Sequence, residues 1–292
     1  KAKGSASTAE TDSADSAGGI PRTVVHAARA LPGPRLCVIG GRTGVGKTKV
    51  LQALRDRFGQ SVIDLEGLAN HRGSAFGWVG SRDGGQPTPE NFTNVLATSW
   101  RQLELQQSAR GGERGWLFIE DEDTHIGACN LPPAVWAGLR CAPLVVRLVL
   151  TEQARVQILV DDYVGDFRQC TAGGAGGSGD GGNAVGYDEW LARMEASVTR
   201  LQKRLGGDLV RKIVQALREQ QYDAVARELL NYYDKLYDAH VHNSSGTGSG
   251  SGSRCGTVID VEFTEPSFDA EVVAQLVLKR IDTLSPGEIE MA

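Results

Sequence analysis

The chain reads LCVIGGRTGVGKT from Leu36 to Thr48, and this stretch decides the fold class. Its first four residues form a short apolar run typical of a buried strand, and the pattern GxxxxGK[ST] begins at Gly41. Apolar residues then recur at helical spacing from Val50 to Leu54. A glycine-rich turn between a buried strand and a helix lets backbone N–H groups surround phosphate oxygens. We therefore predict a phosphate-binding P-loop.

The P-loop pattern assigns a role to each of its chemical groups. Lys47 would place a cation on the outer phosphates, and the Thr48 hydroxyl would bind Mg²⁺. The remaining phosphate contacts would come from the loop backbone at Gly41, Thr43, Gly44 and Gly46. The alternative is an ordinary glycine-rich turn. The strand before the loop and the helix after it favour phosphate binding.

Strand-like and helix-like segments alternate around the P-loop. Further strands are predicted at 61–65, 116–119 and 144–150, and Thr88 with Pro89 predicts the start of a helix that runs to about residue 108. Strands separated by helices predict an α/β fold in which a parallel sheet is covered by helices on both faces. A helical region and a terminal edge strand at 259–263 follow.

Changes in composition along the chain predict its organisation. Three segments rich in Gly, Ser or Ala lack periodicity and are typical of flexible chain. The predicted parts are a disordered linker (1–22), a P-loop α/β domain (23–168), a glycine-rich insertion (169–186), a helical region (187–242), a Gly/Ser-rich insertion (243–256), and a strand and helix that pack on the P-loop domain (257–292).

Composition restricts the class of protein. Hydrophobic residues make up 40% and charged residues 23%, which is typical of a globular protein with a buried core. No apolar run is long enough to cross a membrane, so we expect no membrane partner. The 5 cysteines form no CxxC pair, which favours the cytoplasm or another reducing compartment. The net charge is −5, so any nucleic acid would have to bind a local basic stripe.

Acidic residues follow two of the predicted strands. Asp64 ends one strand, and the run 120–123 ends another. Such a run is often only a solvated loop. At a strand end that faces a P-loop, however, a carboxylate can bind Mg²⁺ or act as a catalytic group. We favour Asp121 as the metal ligand beside Thr48, with Glu120 and Asp64 as further catalytic candidates.

A second polar segment extends from Asp64 to Gly77. Arg72 suits a phosphate or a base edge, and His71 suits proton transfer or stacking. Asn70 and Ser74 can donate hydrogen bonds to a polar ligand. The alternative is a polar loop whose side chains satisfy its own backbone.

These motifs together resemble the P-loop domain of tRNA 2-selenouridine synthase. The long match from Asp64 to Gly77 is specific, whereas the P-loop alone is not. The resemblance covers about residues 35–240 apart from the glycine-rich insertion. It rests on the segments 41–48, 64–77, 86–87, 90–92, 119–122, 126–127, 142–146, 162–164, 203–207 and 232–234, and on Tyr237.

The resemblance implies an activity, ligands and partners. This family replaces the sulfur of wobble 2-thiouridine in certain tRNAs by selenium from selenophosphate, through a geranylated intermediate made from geranyl diphosphate. Its members join an upstream rhodanese-like domain, which carries the catalytic cysteine, to the P-loop domain. The chain has no such module, so residues 1–22 resemble a linker, and we expect the chain alone not to complete selenium transfer. Mg²⁺ with a nucleotide or geranyl diphosphate is the expected P-loop ligand.

A basic stripe suggests where tRNA would bind. If one helix continues through residues 191–205, Arg193, Arg200 and Arg204 share a face opposite its apolar stripe. Such a stripe is suited to tRNA phosphates, although a basic helix face is usually only solvated surface. Of the tyrosines at 232, 233 and 237, which can stack on bases, Tyr233 continues an apolar stripe.

Two other functions compete with tRNA modification. A small-molecule or nucleotide kinase would need an arginine-rich lid, and residues 151–168 contain only Arg155 and Arg168. A non-catalytic module would keep the P-loop only for structure. Loss of tRNA modification in a Lys47→Ala variant would separate the first hypothesis from the last.

Overall fold

The fold is described from a computed structural model, which covers residues 35–78, 85–110, 115–165, 186–244, 256–285 and 288–289. The predicted linker 1–22 lies outside the described residues, as do 169–185 of the first predicted insertion and 245–255 of the second. The domain boundaries themselves stay a prediction.

The described elements are these, in chain order: β1 (Arg35–Gly41), α1 (Lys47–Asp56), β2 (Ser61–Ile63), α2 (Leu65–Ala69), α3 (Pro89–Arg110), β3 (Trp116–Glu120), β4 (His125–Ile126), β5 (Cys129–Asn130), α4 (Pro133–Arg140), β6 (Leu144–Leu150), α5 (Glu152–Val160), a π-helical turn (Asp161–Gly165), α6 (Tyr187–Arg200), α7 (Gln202–Leu205), α8 (Gly207–Arg218), α9 (Tyr222–Ser244), β7 (Thr257–Phe263) and α10 (Ala270–Asp282).

Five strands form one parallel sheet in the order β2-β3-β1-β6-β7. The P-loop strand β1 is central, and β3, which ends in the acidic run, lies directly beside it. The carboxyl ends of both strands therefore meet at one edge of the sheet. As predicted, β7 is an edge strand, and its side chains alternate between buried and exposed.

Helices cover both faces of the sheet, which confirms the predicted α/β class. Cys37 and Ile39 of β1 face one core with α1 and α10, whereas Val38 faces the other core with α3 and α4. This alternation is the two-residue period of a strand buried on both sides. Thr88 caps α3 as predicted, because its hydroxyl accepts a hydrogen bond from the N–H of Asn91 at 3.2 Å.

The helical region has a core of its own. Apolar side chains of α6, α8 and α9 pack together around Trp190, Met194 and Leu217. The single helix predicted through residues 191–205 is wrong. Its last turn tightens where the N–H of Leu201 bonds to Val198 O at 3.0 Å, and α6 ends at Arg200. The sequence predicts that the glycines at 206 and 207 end this helical stretch, and Gly206 does end α7 before α8 begins at Gly207.

Two other element boundaries differ from the sequence prediction. The second strand ends at Ile63, because the Asp64 carboxylate accepts a hydrogen bond from the N–H of Gly67 and starts α2. The sequence predicts the last helix of the helical region over residues 223–237, whereas α9 extends over Tyr222–Ser244.

Within the described part of the chain, no helix is both long enough and apolar enough to cross a membrane. Cys37, Cys129 and Cys141 are free thiols.

Candidate functional site

The P-loop has the backbone of an anion-binding turn. Gly44 and Gly46 have φ values of 77° and 73°, in the left-handed region that favours glycine. At Gly46 a Cβ would also lie 2.6 Å from Cζ of Phe268, so a larger residue is excluded there. Helix α1 begins at Lys47, and its first backbone N–H groups have no carbonyl one turn earlier to bond to. These groups and the helix dipole together suit a phosphate.

The outer side of the P-loop is held by ion pairs to α5 and α9. Arg155 is almost fully buried and donates from Nε to Thr43 O at 2.9 Å. Its two terminal nitrogens bond to the Asp234 carboxylate at 2.6 and 2.8 Å. Arg42 also approaches Asp234 and bonds to Asp238 at 2.6 Å. Sequence reasoning assigned Arg155 to a poor kinase lid, but here it fixes the loop.

The inner side of the P-loop brings two carboxyl groups to one hydroxyl. Thr48 Oγ1 lies 2.7 Å from Glu120 Oε1 and 2.9 Å from Glu66 Oε2. Glu120 is fully buried, and its other oxygen accepts a hydrogen bond from the N–H of Glu66 at 2.9 Å. A hydroxyl has only one hydrogen, so two ionised carboxylates cannot both accept it. The arrangement requires either a proton on one carboxyl group or a cation between them.

Burial makes this acidic cluster hard to ionise. It raises the pKa of Glu120 well above its usual value, and it also raises the pKa of Glu66. It raises the pKa of Glu122 to about 8, with Lys47 acting in the opposite direction. Burial acts to lower the pKa of Lys47, but Glu122, Glu66, Glu120 and Asp121 outweigh it, and that pKa is raised. A cationic lysine therefore lies among acids whose negative charge is costly without a further cation.

The donor set fits Mg²⁺ when a phosphate ligand is present. Mg²⁺ prefers oxygen ligands and usually binds one or two carboxylates together with waters and phosphate oxygens. Thr48, Glu66 and Glu120 supply that partial set. Across the described residues, no group of three or more His, Cys, Asp or Glu side chains could hold a metal ion by itself. The site suits a metal that arrives with its phosphate.

The acids favoured from sequence lie beside this cluster. Asp121 bonds to Arg140 at 2.9 Å and lies against Gly40, while it lines the same cleft as the P-loop. Asp64 caps α2. Glu120, the buried member of the run, contacts Thr48. The metal role of Asp121 stays a prediction, and the geometry favours Glu120 and Glu66 as the partners of Thr48.

The polar segment after Asp64 divides into two pairs. Arg72 and Ser74 line the cleft; Arg72 donates to Asp162 O at 2.7 Å, and Ser74 Oγ lies 3.2 Å from the Tyr163 hydroxyl. Asn70 turns back and donates to Gly85 O at 2.8 Å.

Like Asn70, His71 turns away from the cleft, and its ring fills the space beside Gly77. Burial lowers its pKa. Its Nδ1 is buried and has no hydrogen-bond partner within the described residues. The ligand-binding roles of all four side chains stay predictions, but only Arg72 and Ser74 face the cleft.

The cleft has a volume of about 880 Å³, and an apolar cavity adjoins it. The cavity measures about 50 Å³ and lies in the core of the helical region. Cleft and cavity share Thr43, Ser74, Leu159, Tyr163 and Tyr233. A ligand bound at the P-loop therefore has an apolar space next to it.

The predicted basic stripe is not one helix face. Arg200 lies on α6, but Arg204 lies on α7, beyond the break at Leu201. Arg200 and Arg204 are both exposed and lie outside the lining of the cleft. Arg200 donates to Ser197 Oγ at 2.7 Å. Contact with RNA at these residues stays a prediction.

Comparison with known proteins decides the family. The sequence model described as the tRNA 2-selenouridine synthase AAA domain matches residues 34–266. The chain is 36% identical over 221 residues to tRNA 2-selenouridine synthase of Sulfurovum sp. (strain NBC37-1). This match covers 71% of the chain and 54% of that protein. The chain belongs to the tRNA 2-selenouridine synthase family.

Other members of the tRNA 2-selenouridine synthase family match the same region. The protein of that name from Alcanivorax borkumensis is 35% identical over 236 residues, or 74% of the chain and 58% of the relative. The one from Bordetella petrii is 37% identical over 212 residues, or 68% of the chain and 51% of the relative. The chain thus spans about half the length of the curated relatives that it matches.

Sequence reasoning missed Glu66, Arg155 and Asp234 as parts of this P-loop site, and it considered Glu122 only as a member of the acidic run 120–123. A signal was present for Glu66, Glu122 and Asp234, because all three lie in segments that carry the resemblance to tRNA 2-selenouridine synthases. Those segments had no assigned role for them. Only the fold brings α5 and α9 against the P-loop, so spacing along the chain did not indicate the ion pairs.

Proposed function

We propose that this chain is the part of a tRNA-modifying selenotransferase that binds geranyl diphosphate with Mg²⁺ and presents it to tRNA. The full protein would convert wobble 2-thiouridine to 2-selenouridine through a geranylated base. The observation that carries the proposal is the P-loop cleft with Lys47, Thr48, Glu66 and Glu120, which opens onto an apolar cavity. The relatives' shared name, tRNA 2-selenouridine synthase, supplies the reaction.

The phosphate end of the ligand matches the inner side of the P-loop. Backbone N–H groups at the start of α1 and the Lys47 ammonium would neutralise the diphosphate oxygens. Thr48, Glu66 and Glu120 would hold Mg²⁺, which would supply charge neutralisation for a departing diphosphate. Arg72, which also lines the cleft, is a further anion contact.

The apolar cavity favours a diphosphate with a hydrocarbon substituent over a nucleotide. Its lining includes Phe76, Trp190, Met194 and Leu229, which offer little to a ribose or a charged group. At about 10–15 Å³ for each water-sized group, the cavity has room for about four such groups. That space is slightly smaller than one five-carbon unit of an isoprenoid chain, so the flexible Met194 would rotate to admit the chain.

The proposed step at this site is an alkyl transfer. The 2-thio sulfur attacks the first carbon of the geranyl group, a carbon–sulfur bond forms, and the carbon–oxygen bond breaks. The electron pair leaves with diphosphate, and the N3 proton of the base passes to the departing diphosphate or to water. Selenophosphate would then supply selenium in a second step. We assign that step to an upstream rhodanese-like domain, so the isolated chain would not complete it.

Nothing in the described lid segment supports a kinase. Arg155 is buried, and its guanidinium is already bonded to Thr43 O and to the Asp234 carboxylate. We therefore do not extend the proposal to phosphoryl transfer.

Calorimetry with geranyl diphosphate tests the proposal. The chain should bind it with Mg²⁺ present and much more weakly without. Lys47→Ala should weaken binding by about 10- to 100-fold, since a hydrogen bond to a charged group is lost. Lys212→Ala is the matched control, because Lys212 pairs with Glu228 on the helical region.

Two results would contradict the proposal. One is no heat of binding with geranyl diphosphate at millimolar concentration. The other is tighter binding of ATP or GTP than of geranyl diphosphate, which would assign the P-loop to a nucleotide.

A further inference from the structure

The P-loop cleft is larger than a diphosphate requires, and one part of it lies away from the phosphate-binding backbone. We name this part the sheet arm. Helix α4 and helix α9 supply its sides, and strands β6 and β7 supply its floor. Its residues are Trp136, Arg140, Val145, Arg147, Leu236, Tyr237, Val258 and Asp260.

The floor of the sheet arm is buried at Val145 and becomes exposed toward the edge strand β7. Val145 pairs in register with Val258, and Arg147 pairs with Asp260, so these four side chains share one face of two neighbouring strands. Helices α3 and α4 pack over the core built on β1, β2 and β3, but Val258 is 47% exposed. Leu236, from α9, is 46% exposed. Two large apolar side chains thus meet solvent inside one cleft, which marks a surface suited to a ligand.

The sheet arm offers flat surfaces on which a ring can stack. The Arg140 guanidinium lies over the Trp136 ring, 5.4 Å from its centroid. Tyr237 from α9 lines the same space. Unpaired bases are recognised by stacking on aromatic rings and on guanidinium planes.

Charges in the sheet arm are already neutralised. Arg147 forms a bidentate ion pair with Asp260 at 2.6 and 2.7 Å, and Arg140 bonds to Asp121 at 2.9 Å. An RNA phosphate would have to displace a carboxylate to reach either arginine. A hydrocarbon chain would have to lie against two ion pairs, whereas the apolar cavity offers it a better place. A neutral planar ring with hydrogen-bonding edges fits these surroundings better than either.

We propose that the sheet arm binds the pyrimidine base of the tRNA nucleotide that is modified. This inference rests on the proposed function, and it adds a place for the second substrate. The base would stack beside Trp136 and Tyr237 and present its edge to the Arg147–Asp260 pair. Asp121 lines the cleft near Arg140 and near Gly40, which directly precedes the P-loop, so the two parts of the cleft meet there. A base in the sheet arm would thus face a diphosphate at the P-loop.

An abasic RNA isolates the contribution of the base. Two otherwise identical RNA stem-loops would be titrated onto the full chain, one with 2-thiouridine at the target position and one with an abasic site there. Stacking of one base on aromatic groups predicts that the abasic RNA binds between about 5-fold and about 100-fold more weakly. RNA backbone contacts are the same for both RNAs, so the ratio of the two Kd values reports the base alone.

Two valine-to-glutamate variants test whether the base binds in the sheet arm. Val258→Glu puts a charge on the floor of the sheet arm, and Val272→Glu puts one at a similarly exposed valine on α10, 44% exposed and outside the cleft lining. We expect the Kd ratio to fall to about 1 in Val258→Glu and to keep its wild-type value in Val272→Glu. Tyr237→Ala is a second variant, on the other side of the arm, and should lower the ratio partly.

The possible failures are distinguishable. A wild-type Kd ratio near 1, or an unchanged ratio in both Val258→Glu and Tyr237→Ala, overturns the inference even if geranyl diphosphate binds. An unchanged ratio with impaired turnover in the longer protein would instead mean that the arm docks another part of that protein. Failure of geranyl diphosphate to bind the wild-type chain removes the proposed function itself. Thermal denaturation of each variant excludes loss of fold as the cause.

Discussion

The two sides of the P-loop use charge in opposite ways. On the outer side, Arg42 and Arg155 meet Asp234 and Asp238 at hydrogen-bond distance. On the inner side, Lys47 faces the cluster of Glu66, Glu120 and Glu122, whose pKa values burial raises. The outer charges balance one another within the protein. The inner charges do not, and they call for a proton or a bound cation.

This difference separates structural charges from ligand-binding charges. An ion pair such as that of the buried Arg155 with the partly exposed Asp234, in which both terminal nitrogens are hydrogen-bonded, can be stable without any ligand. Two carboxyl groups around one hydroxyl become stable as anions only when a cation joins them. On the proposed function, the inner side is thus the place where Mg²⁺ and a diphosphate would change the free energy most, whereas the ion pairs of the outer side hold the loop.

The largest effect should follow from Glu120→Gln. The change removes one proposed Mg²⁺ ligand, and we expect Mg²⁺-dependent binding of geranyl diphosphate to weaken by about 100-fold, as the loss of a hydrogen-bonded ionic contact implies. Without metal, the free energy of unfolding of the variant should equal or exceed that of wild type, because a buried carboxyl group is removed. Calorimetry and thermal denaturation measure the two quantities.

The control for Glu120→Gln is Glu262→Gln, at an exposed position on β7. It should change neither quantity. Equal Mg²⁺ dependence in Glu120→Gln and wild type would mean that Glu120 is only a buried structural acid.

On the outer side, Asp234→Asn should mainly lower stability. Arg155 would keep its bond to Thr43 O but lose a charged partner while almost fully buried, which should cost about 2–3 kcal/mol in the free energy of unfolding. Diphosphate affinity should fall by about tenfold at most, because the loop is loosened but its phosphate contacts remain. Urea denaturation and calorimetry test both expectations.

A surface pair of the same kind provides the comparison for Asp234. Arg218 bonds to Glu195 at 2.7 and 2.9 Å on the helical region, with Arg218 largely exposed. Glu195→Gln should cost less than about 1 kcal/mol. If Asp234→Asn costs no more than Glu195→Gln, the outer side does not hold the loop.

The inner side should also make stability depend on pH. The pKa of Glu122 is raised from 4.5 to about 8, so between these values the folded chain holds a proton that the unfolded chain has released. The free energy of unfolding should therefore fall as pH rises toward 8. His71 has a lowered pKa and acts in the opposite direction only below about 6.5, so His71 does not oppose the fall between about pH 6.5 and 8. Glu66 and Glu120, whose pKa values are also raised, act in the same direction as Glu122.

In that window, metal-free wild type should lose on the order of 1 kcal/mol more stability than Glu122→Gln. Urea denaturation at several pH values measures the difference. Equal slopes for the two proteins would show that Glu122 is ionised throughout the range.

Sequence patterns predicted the parts of the site that depend on neighbouring residues. The strand, the glycine-rich turn and the helix from residue 36 to 54 occur as predicted, because local spacing decides both the turn and the helix start. The acidic strand end was also correctly placed beside the P-loop, since parallel strands bring their carboxyl ends to one edge.

The rest depends on tertiary packing. The preference for Asp121 rested on its position in the acidic run, but which acid faces Thr48 depends on side-chain direction at the strand end, where Glu120 turns inward and Asp121 meets Arg140. The break at Leu201 leaves the apolar spacing of the neighbouring residues unchanged, so periodicity predicted one helix. Arg155 and Asp234 are 79 residues apart, and no local pattern links them.

The smallest expected effect concerns tRNA binding by arginines of the helical region. As at the P-loop, some of these arginines are paired with an acidic side chain and others are not. Arg193 and Arg218 are bonded to Glu189 and Glu195, whereas Arg200 is bonded to a neutral hydroxyl and Arg204 is exposed. Because their charge is not balanced by a carboxylate, Arg200 and Arg204 are the arginines better suited to tRNA phosphates.

Changing Arg200 and Arg204 together to Gln should weaken tRNA binding by about 5-fold and lower the salt dependence by close to two counterions, at about 0.9 for each phosphate contact. The matched double variant, Arg193→Gln with Arg218→Gln, removes the same charge from pairs that are already balanced, so its affinity and salt slope should stay nearer to wild type. Filter binding at several salt concentrations measures both. Equal losses in the two double variants would mean that tRNA responds only to net charge, and the distinction between balanced and unbalanced arginines would not extend beyond the P-loop.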